Sequence, residues 1–192
     1  MTVRIGINGF GRIGRNILRA IIENGRTDIS VVAINDLGPV KTNAHLLKYD
    51  SVHGKFPNQI DVTESTIDVG TGPIRVTALK NPEELDWKDV DIALECTGIF
   101  NKKDIAARHL KNGSKRVLVS APCENADKTV VFGVNHQTLT KNDLVVSNAS
   151  CTTNCLAPVV KVLHKNLGIK RGFMTTIHSY TGDQPTLDTM HS

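Results

Sequence analysis

In this chain of 192 residues, Cys151 and His178 are the side chains best placed to do covalent chemistry. The apolar run Leu144-Val145-Val146 leads into Ser147-Asn148-Ala149-Ser150. Beyond Cys151, the residues Leu156, Val159, Val160, Leu163 and Leu167 recur at helical spacing up to Gly168. A cysteine therefore sits where a strand hands over to a helix. Ser150 suits the N-cap, its hydroxyl accepting an orphan N–H of the first turn. The Cys151 sulfur then lies among unpaired N–H groups at the positive end of a helix dipole, which favours thiolate. The alternative is a small buried hydrophobe, the usual fate of an unpaired cysteine. Arg171 to Thr181 alternates like a strand and carries His178 near its end. Returning beside the helix, such a strand would bring His178 to Cys151, first as a base for the thiol proton and then as an imidazolium holding the thiolate. His45, His53, His109, His136, His164 and His191 read as surface or internally satisfied polar residues.

The other cysteines carry less. Cys155 lies one helical turn beyond Cys151 on the same face and is expected to pack beneath it. Cys-x-x-x-Cys with His164 and no second cysteine pair is a poor zinc pattern, so no metal is expected. Cys96 and Cys123 read as structural. Four cysteines in this arrangement are not a secreted disulfide framework, which points to reduced thiols and a cytoplasmic protein.

The first half of the chain carries a second pattern, independent of the cysteine. Val3 to Asn8 reads as a buried strand, and Gly9-Phe10-Gly11-Arg12-Ile13-Gly14 follows at once. Ile13, Ile17, Leu18, Ile21 and Ile22 then recur at helical spacing. A G-x-G-x-x-G between strand and helix permits a tight turn, close approach of backbone to a pyrophosphate, and close helix–strand packing. Ile29 to Asn35 forms a second strand. Asp36 ends it 22 residues beyond Gly14, near the spacing of a carboxylate that accepts ribose hydroxyls and repels a 2′-phosphate. NAD is thus favoured over NADP. A plain turn residue is the alternative for Asp36.

A short helix is expected over Thr42–Lys48, and strands around a turn at Gly70–Pro73. A helical turn should open at Asn81-Pro82, with a strand over Val90–Glu95 and a helix over Lys102–Lys111. Strands are expected at Arg116–Ser120, Thr129–Gly133 and Leu144–Ser147. The fold class is α/β, a Rossmann-like, doubly wound, mainly parallel sheet. Thr97, Gly98 and Ser120 fall at carboxyl ends of strands, where such sheets bind ligands; ordinary turn roles are the alternative. The domain boundary is expected at 149/150: residues 1–149 a dinucleotide-binding domain, 150–192 the start of a second, α+β catalytic domain.

The formal charge of +4 is spread along the chain, and only 4% of residues are aromatic, so neither a nucleic-acid stripe nor a base-stacking surface is indicated. The first residues have no long apolar core of a secretory signal, and no stretch reaches membrane-spanning length. Neither nucleic acid nor membrane is an expected partner.

Four segments carry a close resemblance: Asn8–Arg15, His45–Gly54, Ser147–Pro158 and Thr175–Thr181. Together they resemble the phosphorylating glyceraldehyde-3-phosphate dehydrogenases along the whole chain, and Ser-Cys-Thr-Thr-Asn-Cys is far more specific than the glycine motif. The resemblance implies Cys151 as nucleophile and His178 as its base. It implies contacts to NAD from Arg12, Ile13, Asp36, Lys80 and Ser120, with Lys80 where many members carry arginine; Asn8, Gly9, Gly11, Thr97 and Gly98 are expected to bind the cofactor beside them. It implies Ser150, Thr152 and Thr181 for substrate or inorganic phosphate, D-glyceraldehyde 3-phosphate as substrate, and a homotetramer acting in glycolysis. Erythrose-4-phosphate dehydrogenases share the cysteine, the histidine and the nucleotide motif. Semialdehyde dehydrogenases fit the cysteine segment less well, and a non-catalytic NAD-binding module is the remaining alternative. Two departures stand out. Members of this family are longer by well over a hundred residues, so weak NAD binding and poor turnover are expected of this chain alone. Thr189-Met190 stand where many NAD-specific members show leucine-proline.

Overall fold

The computed structural model describes residues 2–181, so Thr189-Met190 and His191 lie outside the described residues. β1 (Val3–Asn8) leads through the glycine loop to α1 (Arg12–Glu23), then β2 (Ile29–Asn35) and α2 (Val40–Lys48). A small hairpin, β3 (Tyr49–Asp50) and β4 (Gly54–Lys55), precedes β5 (Asp61–Val62), β6 (Thr66–Asp68) and β7 (Pro73–Thr77). β8 (Ile92–Glu95), α3 (Lys103–Ala106), α4 (Arg108–Lys111), β9 (Arg116–Val119), β10 (Lys128–Thr129) and β11 (Val145–Ser147) complete the sheet region, and α5 (Cys151–Leu167) follows.

The main sheet runs β10-β11-β9-β8-β1-β2-β7-β6-β5. Its first seven strands are parallel, and β6 and β5 fold back antiparallel at the edge. β1 holds the centre because it can be buried on both faces, as parallel strands require. Ile5 and Ile7 look toward α1 and α2, joining Leu18, Ile21 and Leu47 in one core. Ala33 and Ala93 look the other way, onto Trp87, Leu85 and Val90. A third cluster, Val117, Val119, Val145 and Ala106, continues that second face beneath β9 and β11. Elements thus cover both faces, as a doubly wound sheet demands.

Three expectations need correction. The helix foreseen over Lys102–Lys111 is two short pieces divided at Ala107. The strand foreseen over Thr129–Gly133 shrinks to Lys128–Thr129, whereas the helical turn foreseen at Asn81-Pro82 is present as the 3-10 turn Pro82–Glu84. The larger correction is Arg171–Thr181, which forms no strand. Alternation suits a pleated backbone, but a strand exists only where a neighbour completes its ladder. Among the described residues no strand pairs with 171–181, which lies exposed.

Candidate functional site

The glycine loop is built by close contact. Gly9 has φ +90°, and a Cβ there would sit 2.7 Å from the Thr97 nitrogen; a Cβ on Gly14 would sit 2.2 Å from the Gly9 carbonyl oxygen. Only glycine allows the turn and lets α1 press onto β1. A Cβ at Gly11, the N-cap of α1, would meet open space. The first N–H groups of α1 therefore face an unfilled approach, which suits a pyrophosphate. Across the loop, Asp36 Oδ2 accepts from the Phe10 N–H at 2.8 Å, and Oδ1 accepts from Gly38 N–H at 2.9 Å and from Asn43 Nδ2 at 3.3 Å. The carboxylate is thus locked to the loop whose ligand it would share. An open phosphate cradle beside a fixed, half-buried carboxylate fits a dinucleotide with a free ribose diol.

At the other end of the crevice, Ser150 caps α5 as its hydroxyl accepts from the Thr153 N–H at 3.0 Å. Cys151 is the first residue of that helix. Its Sγ lies 2.9 Å from His178 Nε2, and His178 Nδ1 lies 2.6 Å from the Ser179 carbonyl oxygen. That carbonyl can only accept, so Nδ1 carries the proton and Nε2 presents its lone pair to the thiol. The His178 contact pulls the Cys151 thiol below its ordinary 9.0; slight burial opposes this, and the Thr152 N–H and hydroxyl assist. In return the Ser179 carbonyl, then Cys151, raises His178 above 6.5. Cys96 is the opposite case, since burial pushes its thiol up to about 12 despite a hydrogen bond to Ser120. One sulfur is primed and exposed, the other inert.

A groove of about 1070 Å³ runs from Cys151 along the flank of α1, with Ile13, Ile17, Cys96, Ser120, Ser150 and Cys151 on its wall; Asp36 and the cradle glycines do not line it. Of the residues named from sequence, the structure therefore brings Ile13, Ser120, Ser150 and Cys151 together. Thr97 and Gly98 follow the end of β8, against the Gly9 turn. Arg12 pairs with Asp50 at 3.1 Å, which orients its guanidinium at the start of α1. Lys80 is exposed on the loop after β7. Thr152 is turned to the sulfur, and Thr181 is exposed in the same extended segment as His178. Two expectations fail. The Asn8 side chain is not on the crevice; it is 2% exposed and bonded inside the sheet. Cys155 does not pack beneath Cys151, because α5 buries no residue and Cys155 is exposed.

Sequence reasoning missed several supports. Ser179 sets the histidine tautomer through its backbone, which no side-chain pattern reveals. Asn43 holds Asp36 from one turn into α2. Ala149 has φ +58°, a conformation that costs a non-glycine residue roughly 1 kcal/mol, and it turns the chain from β11 into the cap. Asn154 Nδ2 pins that corner by donating to the Asn148 and Ser150 carbonyls at 2.7 and 2.9 Å.

A parallel, doubly wound sheet with a glycine cradle, followed by a cysteine-led helix, defines a dinucleotide-binding domain of the dehydrogenase type joined to a thiol site. More particularly, the chain belongs to the glyceraldehyde-3-phosphate dehydrogenase family. The family model "glyceraldehyde 3-phosphate dehydrogenase, NAD binding domain" matches residues 3–103, and the model of that enzyme's C-terminal domain matches 150–192. NAD is accordingly the dinucleotide this domain fits. Among curated relatives, the glyceraldehyde-3-phosphate dehydrogenase of Cereibacter sphaeroides is 72% identical over 191 residues, covering 100% of this chain and 57% of the relative. That of Xanthobacter flavus is 72% identical over 193 residues, covering 100% and 58%. That of Geobacillus stearothermophilus is 54% identical over 194 residues, covering 100% and 57%. The chain thus spans somewhat more than half the length of these relatives.

Proposed function

We propose that this chain carries the cofactor half and the nucleophile of an enzyme that oxidises D-glyceraldehyde 3-phosphate, with inorganic phosphate, to 1,3-bisphosphoglycerate. The observation that supports it most is the 2.9 Å contact of Cys151 Sγ with His178 Nε2 at a capped helix N-terminus, on the groove that runs to α1. The division that goes with it is residues 1–149 for NAD and 150–192 for the start of the catalytic domain. A homotetrameric, cytoplasmic, glycolytic enzyme is the corresponding whole; among the described residues no helix is long and apolar enough to cross a membrane.

Each residue then has a task. His178 Nε2 takes the Cys151 proton, and the thiolate adds to the aldehyde carbon to give a hemithioacetal. The Cys151 N–H, with no acceptor inside the helix, and the imidazolium stabilise the oxygen as charge builds on it. The imidazolium passes its proton to that oxygen, and the neutral His178 then removes it again while the carbon loses hydride, leaving a thioester on Sγ. When bound, NAD supplies the hydride acceptor. Arg12, the α1 N-terminus and Asp36 hold its phosphates and ribose, with Gly9, Gly11, Ile13, Lys80, Thr97, Gly98 and Ser120 shaping the crevice. A phosphate oxygen attacks the thioester carbon, the C–S bond breaks, and the thiolate is restored with release of the acyl phosphate. Hydroxyls of Thr152 and Thr181 and the Ser150 turn are the donors for substrate and phosphate oxygens.

Intact-mass analysis after incubation with NAD and D-glyceraldehyde 3-phosphate tests the reading. A mass increase of one glyceroyl phosphate is expected on the wild-type chain, cleared by added inorganic phosphate and lost in Cys151→Ser. D-erythrose 4-phosphate is expected to label far less. An adduct that survives Cys151→Ser, or Cys151 reacting with iodoacetate at neutral pH no faster than free cysteine, would overturn it.

A further inference from the structure

The cradle rests on a row of polar side chains buried inside the sheet. In register across four neighbouring strands stand Glu95 on β8, Asn8 on β1, Asn35 on β2 and Thr77 on β7. Thr77 Oγ1 donates to Asn35 Oδ1 at 2.8 Å, Asn35 Nδ2 to Asn8 Oδ1 at 2.8 Å, and Asn8 Nδ2 to Glu95 Oε2 at 2.7 Å. The Thr97 N–H and hydroxyl both donate to Glu95 Oε1, at 2.9 and 2.5 Å. His109 Nε2 meets Glu95 Oε2 at 2.9 Å, and Trp87 Nε1 donates to His109 Nδ1 at 2.8 Å. An indole N–H can only donate, so His109 Nδ1 is bare, Nε2 carries the proton, and the ring is neutral. Four donors thus converge on Glu95, a pattern that a carboxylate satisfies and a protonated carboxyl does not.

A carboxylate 1% exposed, against a neutral imidazole, is not a natural way to gain stability, because its desolvation cost is large. Its position suggests another use. Three of the four rungs stand directly before a piece of the cradle: Asn8 before Gly9, Asn35 before Asp36, Glu95 before Cys96-Thr97. Hydrogen bonds run in one direction from Thr77 to Glu95, so sliding one strand end breaks a bond on each side.

We propose that Glu95 is a positioning residue of the NAD site, setting through Asn8 and Thr97 the relative heights of the Gly9, Asp36 and Thr97 turns, with His109 and Trp87 as its anchor from below. This rests on the N-terminal domain binding NAD. The chain's one tryptophan is therefore a built-in reporter of the row.

The test is NAD affinity of the 192-residue chain by calorimetry, with Trp87 emission followed in parallel, at a temperature well below the Tm of every variant. In Glu95→Gln the new amide nitrogen faces a donor from Asn8 or His109, and NAD binding should weaken about tenfold. His109→Leu removes one donor from a residue too deep to touch NAD; affinity should fall several-fold, and the Trp87 response to NAD should disappear. His109→Gln can donate to Glu95 and accept from Trp87, and should restore affinity to within about twofold. If Glu95→Gln does not fold, the two His109 variants decide. Variants that lower Tm but bind NAD as the wild type does overturn the proposal and leave the row a structural feature. A wild-type chain that gives no signal even at millimolar NAD, where the weak binding expected of this chain alone would still register, overturns the cofactor reading of this chain and takes this proposal with it.

Discussion

α1 and α5 look alike as sequences, each a run of apolar residues at helical spacing behind a turn, yet they live in different surroundings. α1 buries Gly14, Arg15, Leu18, Arg19 and Ile21 against β1 and its neighbours. α5 buries nothing; Val159, Val162, Leu163 and Leu167 face outward. It is tied to the sheet region by polar contacts, Lys161 Nζ to the Gly133 and Val134 carbonyls and Asn154 to the strand exit. The first region owes its shape to burial, the second to capping and hydrogen bonds. The cofactor end of the site is therefore rigid, while the reactive end is held by a few local bonds in a setting open to reagents.

Truncating the two helices should expose this difference most strongly. Leu18→Ala should cost about 2–5 kcal/mol in denaturant unfolding, whereas Leu163→Ala should stay within about 0.5 kcal/mol. Equal costs would mean that α5 packs in solution as α1 does. Next in size, Asp36→Ala should weaken NAD binding by roughly ten- to a hundredfold, because it removes both the ribose acceptor and the clamp on the Phe10 N–H, and should narrow the preference over NADP. Titration calorimetry with both dinucleotides would show it.

Within the reactive region, His178→Ala should slow iodoacetate labelling of Cys151 at neutral pH about tenfold. The sign follows from the shifts. A thiol pulled below 9.0 is thiolate at lower pH, so the midpoint of the wild-type labelling profile should lie below pH 9, and the variant's midpoint should move upward. Coincident profiles would remove His178 from the site. A local effect belongs to Ser150→Ala, which should cost about 1 kcal/mol of helix stability, visible as faster hydrogen exchange in the first turn of α5 with no change in α1.

The parts legible in the sequence were those decided by neighbours along the chain. The glycine loop, the strand-end aspartate, the Ser150 cap and the α5 stop at Gly168 depend on local backbone requirements, and each stands where its spacing put it. The pairing of Cys151 with His178 was readable too, though by another route than expected. It was inferred from a strand beside α5, and it is reached by an exposed segment with no strand at all. The failures share one cause. Arg171–Thr181, Cys155 and Asn8 were each assigned surroundings that only a partner in space can supply.

By itself, then, the sequence determined the α/β class, the dinucleotide cradle and the place of Cys151 at a capped helix start, because turn chemistry, caps and periodicity act over a few residues. Tertiary structure alone decided the rest: which cysteine is buried and inert, which way the His178 ring holds its proton, and that Asn8 turns inward to Glu95 rather than outward to a ligand. Burial, desolvation and a hydrogen-bond partner are properties of neighbours in space, and residues far apart in the chain, such as Trp87, Glu95 and His109, become one network only when the sheet brings them into register.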